Sequence, residues 1–177
     1  MTAKPFISAI LIAVTLGLGL AACFPEAGSL IGDLHFGNTS KPFWPAGPVN
    51  IKARRAAAEQ GDPEAQFTMG AVYDMRSRLW LPSDAPKKDD AIAAQWYRAS
   101  ANQGNGCGQF YLAGMYETGH AVERDDVVAD MWYCLAISAL HTTLADDATR
   151  KRDDIEKRIT PEQIAEARRR AAEWKPS

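Results

Sequence analysis

The sequence predicts an all-α solenoid of short antiparallel helix hairpins closed by a C-terminal capping helix, and three observations carry that prediction. Residues 61–73 and 104–116 are one pattern written twice, 43 residues apart, with Gly, Gln, Phe and Tyr recurring in register. Each copy then reaches a Trp-Tyr pair, Trp96-Tyr97 or Trp132-Tyr133, six residues after an aspartate, Asp90 or Asp126. A period near 40 residues marks stacked helix pairs, because one pair cannot bury its apolar face alone and must lean on the next. Finally, Thr160-Pro161-Glu162-Gln163 is a capping box with proline at the first helical position. Ile164, Ala167, Ala171 and Trp174 follow it as one apolar stripe, the seal that an open array needs at its end.

The elements follow in order. Residues 1–22 read as a signal segment: Lys4 supplies the positive start, and the uncharged apolar run 6–20 is too short for a membrane span. Leu20-Ala21-Ala22-Cys23 resembles the bacterial lipoprotein cleavage box, which implies that Cys23 becomes the acylated first residue of a mature chain of 155 residues. An ordinary signal peptide with an incidental cysteine, or an uncleaved anchor, are the alternatives. Residues 23–48, with Pro25, Pro42, Pro45, Pro48 and four glycines, read as a tether reaching roughly 30 Å. Phe36, Phe43 and Trp44 either pack onto the first helix or stay with the tether.

The solenoid is expected over 49–175, with repeats at about 61–103 and 104–140 and a cap at 141–175. Residues 51–60 form a short helix ended by Gly61. Asp62-Pro63, an N-cap followed by proline, opens a helix to about residue 75. Further helices span about 90–102, 105–118 and 126–140. Ala65 aligns with Gly108, Gly70 with Ala113 and Ala71 with Gly114, small residues where helices must approach closely. Tyr73 and Tyr116 are expected between neighbouring hairpins. The first turn is seven residues longer than the second, the excess falling within 76–88 around Trp80. Trp80 either folds back onto its hairpin or forms a recognition loop.

Composition narrows the function. A net charge of −2 with 24% charged residues leaves no electrostatic footprint for nucleic acid. The aspartate doublets at 89–90 and 125–126 sit where helices start, so they read as caps before they read as catalytic pairs. His35, His120 and His141 fall on tether, turn and helix end, and no phosphate loop or nucleophile elbow is present. No catalytic residue, metal or cofactor is therefore expected. Cys107 and Cys134 stand about 15 and 13.5 Å from the intervening turn, so they are level. Helix axes 8–10 Å apart nevertheless strain the Cα separation that a disulfide accepts. A bridge and two independent thiols both remain open.

Ala65-Gln66, Met69-Gly70-x-x-Tyr73, Asp90, Trp96-Tyr97, Ala99 and Gly104 resemble the Sel-one-like repeat, a relative of the tetratricopeptide repeat. Gln109, Leu112-Ala113-x-x-Tyr116, Gly119, Asp126 and Trp132-Tyr133 repeat the match, and residues 51–61 look like the closing half of a preceding unit. The resemblance covers about 51–140 and implies a right-handed solenoid that holds a protein or peptide in its concave groove. It places the first helix of each hairpin on that groove, which nominates Phe67, Thr68 and Asp74, then Phe110, Tyr111 and Glu117, with Trp80 as a loop contact. Tyr111 replaces Thr68 at a repeat-variable position and is expected to be the groove contact whose loss spares stability.

The leading expectation is a membrane-anchored adaptor of the bacterial envelope. Phe24 after the lipid-bearing cysteine favours the outer membrane, facing the periplasm or the surface. An immunity protein neutralising a secreted effector is one alternative. Another is a β-lactamase-like hydrolase or penicillin-binding protein, since some cysteine-rich relatives carry that activity. Here only one repeat has cysteines, offset from those relatives' positions.

Overall fold

Seven helices follow one another through residues 50–74 and 89–177, the parts of the chain that the computed structural model describes. They are α1 (Ile51–Glu59), α2 (Pro63–Asp74), α3 (Asp90–Asn102), α4 (Gly106–Thr118), α5 (Asp126–Ala139), α6 (Thr143–Glu156) and α7 (Pro161–Glu173). No strand occurs among the described residues. The signal segment, Cys23, the tether and Trp80 lie outside them.

Polar caps set the starts. Asp62 accepts from the Ala65 amide at 2.7 Å, and its repeat partner Asn105 accepts from Gly108 at 2.8 Å. Asp89 and Asp125 each accept from two amides of the following turn, so the first member of each aspartate doublet is the cap. Thr160 and Gln163 complete the capping box of α7. Gly61 and Gly104 end α1 and α3 with φ of 95° and 85°, a left-handed backbone that side-chain-bearing residues resist.

Contacts at both ends make α2 and α3 an antiparallel pair. The Asp89 amide bonds the Tyr73 carbonyl at the turn, and the Ser100 hydroxyl bonds the Pro63 carbonyl at the far end. In the second hairpin, α4–α5, the Asp125 amide bonds the Tyr116 carbonyl, and Gly106 nestles against Ala139 and Leu140. The joints between units are copies. Arg55 donates to the Tyr73 hydroxyl at 2.8 Å, and Arg98 to the Tyr116 hydroxyl at 3.1 Å. Gln66 donates to the Ala58 carbonyl, and Gln109 to the Ala101 carbonyl. All four partners shift by 43 residues, so α1 occupies the place of a second helix from a preceding unit.

Gly70 is where the backbone must come closest. A Cβ there would lie 2.5 Å from the Tyr97 ring, and one on Gly108 would lie 2.7 Å from the Ser100 hydroxyl. Gly114 differs from the sequence expectation: its nearest neighbour would be the Tyr133 hydroxyl at 3.6 Å, an ordinary contact. The array closes on α5, against which both α6 and α7 pack. Trp174 meets Trp132 edge-on at 6.1 Å, and Ala167 is fully buried. Helix α6 is an addition to the sequence reading, which placed one helix in the cap. Its buried stripe is only Leu144, Ala148 and Ile155 amid a run of charges, too thin a periodic signal to stand out.

Candidate functional site

The first helices of the two hairpins do not present equivalent surfaces. On α2 every residue from Ala65 to Tyr73 is buried. Phe67 and Thr68, nominated as partner contacts, are each 1% exposed, and the Thr68 hydroxyl is spent on the Glu64 carbonyl. They are core residues, and the expectation that they face a groove is corrected. Their counterparts on α4, Phe110 and Tyr111, stay half-buried, as do Gly114 and Glu117 one and two turns further on.

Five rings connect these helices. Tyr111 stacks on Tyr97 at 5.3 Å and touches Phe67 and Phe110, and Phe110 meets Tyr133 edge-on. Burial, then the charges of Asp74 and Asp147, pushes the Tyr111 phenol well above the ordinary tyrosine range, so it stays a neutral donor. Tyr111 is thus a packing residue that keeps only part of its surface, and truncation to alanine would cost stability as well as surface. Isolated offset and edge contacts of this kind contribute about 0.5–1.5 kcal/mol each.

At the turns, each hairpin gathers two acids under a tyrosine. Tyr97 donates to Asp74 at 3.3 Å, and Tyr133 donates to Glu117 at 2.8 Å. In the second hairpin, Lys151 of α6 reaches Glu117 at 3.0 Å, and Arg158 after α6 pairs with Asp126 at 2.9 Å. Burial works to raise the Asp126 carboxyl, but the bonds and charges of Arg158 and Arg124 outweigh it and hold it below the usual range. In the first hairpin the approaching side chain among the described residues is His120, from the turn after α4, with Nε2 2.9 Å from Asp90 Oδ2. Asp74, Asp90 and His120 each offer a ligand atom, and the three atoms lie within 4.8 Å of one another. In the sequence the histidines are scattered, and nothing local in residue 120 announces that the stacked turn brings it to residues 74 and 90.

The third polar cluster was also missed. Asp130 is fully buried on α5, and neither carboxylate oxygen has a hydrogen-bond partner among the described residues. Burial, assisted by Glu156, pushes its carboxyl up to about 6. One helical turn on, Cys134 is a free thiol, raised to about 11 by burial and then by Asp130, among Arg152, Glu156 and Arg168. Those neighbours belong to α6 and α7, so Cys134 points away from α4, and a Cys107–Cys134 bridge does not form.

Comparison with known proteins places this architecture. No family model matches the chain, and no curated protein does. Among solved structures it is similar to a protective antigen present in uropathogenic Escherichia coli strains that displays an SLR fold. The identity is 30% and the TM-score 0.58 over 70% of this chain and 24% of that one. It is also similar to a Sel1 repeat protein from Oxalobacter formigenes, with 26% identity and a TM-score of 0.50 over 66% of this chain and 31% of that one. The chain thus spans about a quarter and a third of the lengths of these two proteins. Together with the repeated joints, these likenesses show that the chain is built of Sel1-like repeats.

Proposed function

We propose that the chain is a lipid-anchored adaptor of the bacterial envelope that binds a protein or peptide along the half-buried face of α4. The observation that carries this reading is the contrast between homologous helices. Phe67, Thr68 and Ala71 of α2 vanish into the core, while Phe110, Tyr111 and Gly114 at the same register keep part of their surface. Aromatic side chains that are anchored by packing yet partly exposed are what binding hot spots are made of. The anchor rests on Leu20-Ala21-Ala22-Cys23, and the outer membrane on Phe24 after it.

A photo-crosslinking amino acid at position 111, and separately at exposed Gln95 on α3, tests the surface in intact envelopes. One discrete adduct from position 111 and none from position 95 is the expected outcome. Equal adducts from both, or none from 111, defeats it. Labelled palmitate entering the wild type but not Cys23→Ser tests the anchor independently.

A further inference from the structure

We propose that Asp74, Asp90 and His120 form a binding site for a divalent first-row transition metal, of the zinc or nickel kind, at the turn end of the first hairpin. The donor set comes first. One imidazole nitrogen and two carboxylates are ligands that zinc, nickel and cobalt accept readily, and the imidazole disfavours calcium and magnesium. Their placement comes second. Ligand atoms about 2.0–2.1 Å from one ion stand roughly 2.9–3.4 Å apart at right or tetrahedral angles. His120 Nε2 and Asp90 Oδ2 are 2.9 Å apart, and the whole triad falls within 4.8 Å, so a small side-chain adjustment closes it. The Nε2 atom is buried yet makes no hydrogen bond of acceptable geometry, in spite of its closeness to Asp90. That arrangement suits two ligands of a common ion better than a donor and its acceptor.

The array itself supplies an independent indication of what this position holds. Glu117 and Asp126 are the repeat counterparts of Asp74 and Asp90, and Tyr133 orients Glu117 as Tyr97 orients Asp74. Between Glu117 and Asp126 sits a cation, the guanidinium of Arg158, at 3.6 and 2.9 Å. In the first hairpin the described residue that comes in over the acids is a histidine, which coordinates a metal where arginine cannot. Tyr97 then serves as the outer-shell group that fixes the Asp74 carboxylate. Three protein ligands leave a position for water or for a group of another molecule.

Titration calorimetry of the full chain with Zn2+ and with Ni2+ decides the matter. The expected result is one ion per chain, with affinity at least about tenfold weaker in His120→Ala and in Asp90→Asn, and a smaller loss in Tyr97→Phe. His35→Ala and His141→Ala are expected to bind as the wild type does. His120→Gln serves as a second variant should His120→Ala fold poorly. No saturable binding by the wild type, binding unchanged in the His120 variants, or binding lost in the His35 or His141 variant instead would overturn the proposal. In the first of these cases the His120–Asp90 contact is an ion pair and nothing more.

Discussion

At the joints between units, α1–α2 and α3–α4 repeat the same hydrogen bonds 43 residues apart, whereas at the hairpin turns the same register positions carry different chemistry. The joints are fixed because the same arginine, glutamine and tyrosine recur and make the same bonds between helices. The turns are released from that constraint once the caps are in place. A seven-residue excess and a histidine occupy one of them, and a shorter turn closed by arginine and lysine the other. The structural part of a repeat is therefore what it shares with its neighbour, and the place to look for function is where the copies disagree.

The largest effect expected from this comparison is at Gly70. Alanine there drives a methyl into the face of Tyr97, whose ring is locked by Phe67 and Tyr111. Gly70→Ala should destabilise by about 3 kcal/mol in urea unfolding, the upper part of the range for overpacking. Gly114→Ala meets only ordinary contact and gains helix propensity, so it should stabilise by up to about 1 kcal/mol. Equal effects at the two sites would show that helix approach does not decide them.

Next in size is Asp130, which stands where the first hairpin has Ala94. Its native carboxyl, at about 6, holds a proton that the unfolded chain releases near 3.8, so stability is lost as pH rises through that window. Asp130→Asn should be about 2–3 kcal/mol more stable than the wild type above pH 7. The gain should shrink steadily as pH falls from 6 toward 4. A constant difference across that range would mean that the buried charge is not its source.

The smallest effect separates the two joints. Tyr73 is 6% exposed and its bond to Arg55 is part-buried, while Tyr116 is half-buried and its bond to Arg98 is exposed. Tyr73→Phe should cost about 1 kcal/mol and Tyr116→Phe less than about 0.5 kcal/mol. A reversed order in melting temperature would show that the outer joint bears the load.

The repeat, the caps and the closing helix were legible because each is written in local grammar: an Asp-Pro, a capping box, a glycine after the last turn. Helix α6 was not, since three buried residues among charges give a weak period. Phe67 and Phe110 illustrate the limit more sharply. They occupy one register position in nominally equivalent helices, yet Phe67, against the rings of Tyr97 and Tyr111, is core while Phe110 keeps part of its surface. Spacing along the helices sets Cys107 and Cys134 level, but the azimuth of Cys134, toward α6 and α7, decides its surroundings.

By itself the sequence determined the fold class, the helix caps and the close-approach residue Gly70, because helix caps and stacking periods are properties of neighbours in the chain. Only the tertiary structure brought His120 over Asp74 and Asp90, buried Asp130 beside Cys134, and split Phe67 from Phe110. Each of these depends on which face of a helix meets an element from a different unit, and that information is carried by the stacking of whole units rather than by any short stretch of residues.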